Sequence, residues 1–238
     1  MKPIFPISVR AIAYDLDGTL VDSASDLAYA GNLMREELNL PPLPEDEIKS
    51  YIGKGIANLV RRALQKGREQ EPLSDAYFDN ALQIYEQHYE HVMCSTSAPY
   101  PRALAGLEAA QDKGVRLACI TNKSARFTER MLEELGLANY FELTLSGDSL
   151  PNKKPHPEPL LYAAKYFHIH PSELLMVGDS ESDAEAAHNA GSPVFIVGYG
   201  YFQGNDLADL KATAIVRDLV AAADLIENSA FAKRMINL

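Results

Sequence analysis

The sequence predicts an α/β fold, a parallel sheet flanked by helices on both faces, with an all-helical block inserted after the first strand. Three observations predict it. From about residue 100 short apolar runs alternate with helical segments. Between residues 24 and 98 there is no convincing strand, while three segments carry helical apolar spacing. The polar residues suited to chemistry fall just behind the apolar runs, where the loops of an open parallel sheet converge.

The elements follow in order. "VRAIAY" (9–14) reads as the first strand and runs into "DLDGTLVDS". "DLAYAGNLMREEL" (26–38), "GIANLVRRALQKG" (55–67) and "DAYFDNALQIYEQHYEHV" (75–92) read as helices, with "NLPPLPEDE" (39–47) as a proline-rich break. "VRLACI" (115–120) is a buried strand followed by "TNK". A helix then runs from Ser124, a good N-cap, to Gly136, a good stop. "FELTLS" (141–146) is a strand, and "PEPLLYAAKYF" (157–167) is a helix with proline in its first turn. "LLMVGD" (174–179) is a strand with a helix behind it to about Ala190. "PVFIVG" (193–198) and the shorter "ATAIV" (212–216) complete the sheet. The division expected is a core of residues 1–22 and 99–238, with residues 23–98 as an inserted helical cap.

A chain of 238 residues with 47% hydrophobic and 23% charged residues can bury a substantial core and is not disordered. The formal net charge of −11 argues against nucleic-acid binding, which needs a basic surface. Cys94 and Cys119 show neither metal spacing nor a disulfide framework, so a reducing cytoplasm is expected. Cys119 reads as a buried small hydrophobe. "MKPIFPISVR" is too short and too proline-broken for a signal peptide, and no run of ~18 apolar residues exists to span a membrane.

Several features read as decoys. "GYGYFQG" (198–204) misses the dinucleotide fingerprint and reads as a plain loop. "GKG" (53–55) lacks the rest of a P-loop. His156, His168, His170 and His188 have no zinc spacing, and most of them are expected at the surface. Tyr77, Tyr85 and Tyr89 fall at helical spacing and read as packing.

Asp15 and Asp17 stand one leucine apart at the end of a buried strand. Two like charges there repel and lose water, which is costly unless a cation or a shared proton holds them. Three further strand ends bring Thr121 and Asn122, Lys153 and Lys154, and Asp179 and Asp183. Each alone has a dull explanation as a turn, a cap or a solvated loop. At four strand ends on one sheet edge the dull account becomes poor.

In order, "DLDGTLVDS", "ITNKS", "KKPHPEPL" and "VGDSESDAEAA" resemble the four motifs of the haloacid dehalogenase superfamily. The resemblance covers nearly the whole chain, the helical block standing where that family carries a small cap. It implies a Rossmann-like α/β core and a Mg²⁺-dependent phosphomonoester hydrolase. Within the family the chain resembles the phosphoglycolate phosphatases, on "LPNKKPHPEPLL", "GDSESDAEAAHNAG" and "YIGKGIANLVRRAL". Another small phosphometabolite, such as a sugar phosphate, or a phosphomutase reaction stays open. By the resemblance Asp15 is the nucleophile that forms an aspartyl-phosphate, and Asp17 is the general acid and then base. Mg²⁺ lies between Asp15, the backbone carbonyl of Asp17, and Asp179, with Asp183 orienting the metal's surroundings. Thr121 binds a phosphoryl oxygen, Asn122 supports the loop, and Lys154 neutralises charge, with Lys153 as the alternative. Tyr14 stands where phenylalanine is usual and keeps the aromatic bulk. The implied partner is a small phosphorylated metabolite, and the protein is expected as a monomer or homodimer.

The stretch from Lys54 to Arg68 carries Lys54, Arg61, Arg62, Lys66 and Arg68. It reads either as a solvated helix face or as a source of one cation for a second anion on the substrate. Lys54, between two glycines, is the best single candidate for that contact.

Overall fold

The computed structural model describes residues 4–68, 72–202, 204 and 206–228. Strands β1 (Ile7–Val9), β2 (Ala11–Tyr14) and β3 (Val21–Asp22) lead into α1 (Ala24–Glu37), α2 (Glu45–Lys49), α3 (Ile56–Gln65) and α4 (Asp75–Val92). After β4 (Ala98–Pro99) come α5 (Ala103–Asp112), β5 (Arg116–Ile120), α6 (Ala125–Glu134), β6 (Leu143–Leu145), α7 (Glu158–Tyr166) and β7 (Leu174–Gly178). The chain continues through α8 (Glu181–Ala190), β8 (Val194–Val197), β9 (Ala214–Val216), α9 (Leu219–Asp224) and β10 (Ile226–Asn228).

Six strands form one parallel sheet in the order β6-β5-β2-β7-β8-β9. β2 lies between β5 and β7, with Tyr14 opposite Cys119 on one side and Val177 on the other. The chain first travels outward through β5 to β6, then returns to β7 and leaves in the other direction. Such a reversal opens a crevice beyond the carboxyl ends of the strands. Side chains alternate across the sheet. Ile12, Tyr14, Leu117, Cys119, Leu175 and Val177 pack on one face with residues of α5, α6 and α9. Ala11, Ala13, Ala118, Ile120, Leu174 and Met176 pack on the other with α7 and α8. Both faces are covered, which is why the strands read as continuous apolar runs rather than alternating ones.

The expected first strand is two strands. β1 pairs in parallel with β10 in a sheet of its own, and only β2 enters the main sheet. The handover is at exposed Arg10, whose amide donates to the Glu173 carbonyl and whose carbonyl accepts from Arg116. Ser124 does precede α6, but its side chain makes no capping bond. Asp148 Oδ1 accepts from the Ala125 amide at 2.8 Å instead, a partner from a distant loop. The four expected histidines are all exposed, and Cys119 is fully buried. Among the described residues no helix is long and apolar enough to cross a membrane.

Helices α1 to α4 occupy the chain between β3 and β4, and α2 begins inside the proline-rich stretch. β3 and β4 pair antiparallel, Val21 opposite Pro99 and Asp22 opposite Ala98, so both ends of the helical segment are held side by side. Asp26, at the start of α1, reinforces the same junction. Its carboxylate accepts from the amides and hydroxyls of Thr96 and Ser97, with the hydroxyl bonds at 2.6 Å. Burial pushes the Asp26 pKa up, but the hydrogen bonds from Ser97 and Thr96 outweigh it and hold the carboxyl below its ordinary value of 3.8. A depressed pKa contributes stability that is present above the unfolded value and lost as pH falls through the folded one.

Two stability predictions follow from this packing. Asp26→Asn should lower the unfolding free energy by about 1–3 kcal/mol at neutral pH, the cost of hydrogen bonds lost from a charged group. Chemical denaturation across pH should show the deficit fading below the ordinary pKa of 3.8, and a deficit constant with pH would remove the charge from the account. Tyr14 is fully buried, edge-on to Phe141, and among the described residues its hydroxyl has no hydrogen-bond partner. Tyr14→Phe should therefore stabilise the protein by about 1 kcal/mol, because an unmet buried hydroxyl disappears while the ring stays. A lower melting temperature in that variant would mean that the hydroxyl does find a partner.

Candidate active site

The carboxyl ends of β2, β5 and β7 place the site. The Asp15 amide donates to the Val177 carbonyl, continuing the β2–β7 ladder by one residue. Its carboxylate accepts from the Leu16 amide at 2.7 Å and lies 3.0 Å from the Lys154 ammonium. That ammonium also donates to Asp183 Oδ1 at 2.6 Å. Asp15, Lys154, Asp179 and Asp183 are all buried. Burial raises the Asp15 pKa, with Lys154 opposing it and Asp183 adding to it. Burial likewise raises that of Asp179, with Asp183 and Asp15 adding to the effect. For Lys154 burial works downward and the two aspartates outweigh it, so the ammonium stays charged.

Asp15, Asp179 and Asp183 can each offer an oxygen within 4.8 Å of the others, the one such group of metal-ligating side chains among the described residues. Three carboxylates around one ammonium leave buried negative charge uncompensated. The donor set, all oxygen and anionic, fits a hard divalent cation. Asp183 is already engaged: Oδ1 accepts from Lys154, and Oδ2 accepts from the Asp179 and Ser180 amides and the Ser180 hydroxyl. Asp15 and Asp179 are the freer oxygens. The Asp17 carboxylate is not one of this group and is engaged by Ser23 and Lys123 instead.

Two glycines allow the close approach. Gly18 has φ +84°, and a Cβ there would stand 2.3 Å from Asp179 Oδ2. A Cβ on Gly200 would stand 2.2 Å from the Asp179 Cβ. The neighbouring Tyr201 amide donates to Asp179 Oδ2 at 2.6 Å, and the Tyr201 hydroxyl donates to Asp22 and accepts from the Ser23 amide. So the loop within "GYGYFQG" is not inert; it buttresses Asp179. Gln203 of that stretch lies outside the described residues.

Thr121 is buried and its Oγ1 accepts from the Lys123 amide. Asn122 Nδ2 donates to the carbonyls of Lys154 at 2.9 Å and Gly53 at 3.3 Å, tying the lysine loop to the helical segment. Lys153, beside the buried Lys154, is exposed. An inner cavity of about 30 Å³ is lined by Asp15, Asp17, Thr121 and Asn122 from the sheet edge and by Ile52, Gly53 and Ile56 from the helical segment. Lys54 does not line it. The Lys54 ammonium stands 3.7 Å from Glu181, largely exposed, in an outer cavity of about 450 Å³ shared with Arg62 and Ser180.

One buried residue went unread in the sequence. Lys123, directly after Thr121 and Asn122, contacts both Asp17 carboxylate oxygens at 3.0 and 3.2 Å and the Tyr89 hydroxyl at 2.7 Å. Its signal was present in "TNK", a lysine three residues past the end of a buried strand. Tyr85 packs as expected, fully buried, but Tyr89 reaches the site through this contact.

The family model described as haloacid dehalogenase-like hydrolase matches residues 12–197. The chain is 48% identical over 225 residues to a phosphoglycolate phosphatase of Nitrosospira multiformis, covering 94% of this chain and 99% of that one. It is 44% identical over 222 residues to that of Thiobacillus denitrificans, covering 93% and 97%. A crystal structure of a predicted phosphoglycolate phosphatase from Haemophilus somnus superposes with a TM-score of 0.84 at 34% identity, covering 89% of this chain and 95% of that one.

The fit of Gly200 against Asp179 generates a prediction. Gly200→Ala should displace Asp179 and weaken divalent-cation binding by ~10–100-fold, as outer supports of metal ligands do. Titration calorimetry with Mg²⁺ reads this, and unchanged affinity in a folded variant would free Asp179 from a metal role.

Proposed function

The chain belongs to the haloacid dehalogenase-like hydrolase family, and on that premise we propose that it hydrolyses a small phosphate monoester, 2-phosphoglycolate, to glycolate and phosphate through a phosphorylated Asp15. The observation that carries the reading is the buried Asp15 carboxylate held 3.0 Å from Lys154 and facing the inner cavity beside Thr121. A buried carboxylate with a fixed ammonium beside it is set up as a nucleophile toward an anionic phosphoryl group. The names carried by relatives at 48% and 44% identity support the choice of ester.

In this reading an Asp15 oxygen attacks phosphorus and the bond from phosphorus to the ester oxygen breaks. Asp17 gives its proton to the departing alkoxide, which leaves as the alcohol. Water then attacks the phosphorylated Asp15, Asp17 takes the water's proton, and phosphate departs with the Asp15 carboxylate restored. Lys154 balances charge on Asp15 and the phosphoryl oxygens, and Thr121 donates to one of them. Asp15, Asp179 and the Asp17 carbonyl would hold Mg²⁺, which when bound offsets repulsion between the carboxylate nucleophile and the phosphate. Asp183 holds Lys154 and the Asp179 loop in place.

Residues 23–98 act as a cap over a core of residues 1–22 and 99–238; residues 1–3, 69–71, 203, 205 and 229–238 of these units lie outside the described residues. The support is that Ile52, Gly53 and Ile56 close the cavity opposite Asp15. Closure of this kind excludes water and strengthens charge interactions inside. Lys54 would meet the substrate carboxylate only after the Ile52–Gly55 segment rearranges, since it faces Glu181.

Comparing kcat/KM for 2-phosphoglycolate with that for sugar phosphates, with Mg²⁺ and with excess chelator, tests the proposal. The first should be preferred and chelation should abolish turnover. Asp15→Asn should lower kcat by at least ~10³-fold in a folded protein, as loss of a nucleophile does. Near-normal turnover in that variant would end the covalent route, and a preferred sugar phosphate would end the assignment of substrate.

A further inference from the structure

Two buried lysines divide three of the site's four carboxylates between them. Lys154 serves Asp15 and Asp183. Lys123 serves Asp17 alone, and the reading above gives it no task. A buried ammonium is costly to keep unless it is fully paired. Lys123 meets that condition, with two contacts to Asp17 and one to Tyr89.

We propose that Lys123, backed by Tyr89, is the positioning residue that holds the Asp17 carboxylate where it can pass protons to and from the reacting groups; this rests on the roles given to Asp15 and Asp17 above. Lys123 is itself held rigidly. Its amide donates to Thr121 Oγ1, and its carbonyl accepts from the Gly147 amide at 2.7 Å and the Thr128 hydroxyl at 3.3 Å. Tyr89 is fixed edge-on to Phe127 and stacked on Tyr85. The Asp17 carboxylate also accepts from Ser23 Oγ, on the same Oδ1 that Lys123 contacts at 3.0 Å. The carboxylate is thus clamped between β3's end, the loop after β5, and α4 of the helical segment. Without Lys123 only the serine contact remains, and the carboxylate can turn away from the cavity it lines.

The consequence differs between the two half-reactions. When Asp15 attacks 4-nitrophenyl phosphate, the phosphorus–oxygen bond breaks and nitrophenolate leaves as a stable anion that needs no proton from Asp17. The second half still needs Asp17, having released its own proton to solvent, to act as the carboxylate that takes the proton of the attacking water. Lys123→Met keeps the stem and removes the ammonium. With Mg²⁺ and 4-nitrophenyl phosphate, rapid-quench measurement should give a first nitrophenolate per site at close to the wild-type rate. Steady turnover should fall by ~10²-fold, the lower end of what acid–base groups supply. Phosphate labelled from the substrate should accumulate on Asp15 in the variant. With 2-phosphoglycolate, whose alkoxide must be protonated, the first transfer should slow as well.

If the first turnover and the steady rate fall together, Lys123 acts on phosphate binding or folding and the proposal is overturned. No change in either rate overturns it equally. Should Lys123→Met not fold, Tyr89→Phe must give the same split at about tenfold, the worth of one hydrogen bond, and its absence there is decisive against the proposal. A wild-type protein that hydrolyses neither ester and takes no label on Asp15 fails at the function itself, an outcome separate from any difference between variants.

Discussion

Burying Asp15, Asp179 and Asp183 around a single ammonium sets the terms for everything built near the carboxyl end of β2. Such a cluster loses the hydration of four charges, and one ammonium cannot offset three carboxylates. The surrounding backbone supplies what it can. Leu16, Asp179, Ser180 and Tyr201 all point amides at these oxygens. Each amide requires its loop to come close, which explains glycine at positions 18 and 200, where any side chain would collide with Asp179. What remains uncompensated is negative charge on buried oxygens, a donor set that suits a hard divalent cation.

The helical segment is joined to the sheet by chemistry as well as by chain. The β3–β4 pair and the Asp26 bonds to Thr96 and Ser97 fix its two ends. Its apolar interior is continuous with one sheet face, running from Leu16 and Leu20 through Leu27 and Met34 to Tyr85 and Tyr89. Asn122 and Lys123 then reach across at the site, one to the Gly53 carbonyl and one to the Tyr89 hydroxyl. The helical segment thus meets the site both through these polar links and through the apolar side chains of Ile52 and Ile56, which line the inner cavity with Asp15 and Asp17. Lys123, in contact with both Tyr89 and Asp17, joins the helical segment to the Asp17 carboxylate.

Much of this was legible in the sequence because it depends on local periodicity and on strand ends. α4 is found over the residues its apolar spacing indicates, Asp75–Val92, and the parallel sheet follows from strands alternating with helices. Asp15, Thr121, Lys154 and Asp179 lie together because the carboxyl ends of neighbouring parallel strands must lie together. Tertiary structure alone decided the rest, since those contacts join residues remote in sequence. The split of β1 from β2 is made by pairing with β10, more than two hundred residues away. That Lys154 is buried against Asp15 while Lys153 is exposed follows from which side chain points inward. Lys54 faces Glu181 rather than the cavity because α8 presents that carboxylate to it. Lys123 shows the boundary best. Its type and place were in plain view, but whether a lysine behind a strand is solvated or clamped depends on what packs over it. That is Tyr89, carried on a helix whose position no local pattern specifies.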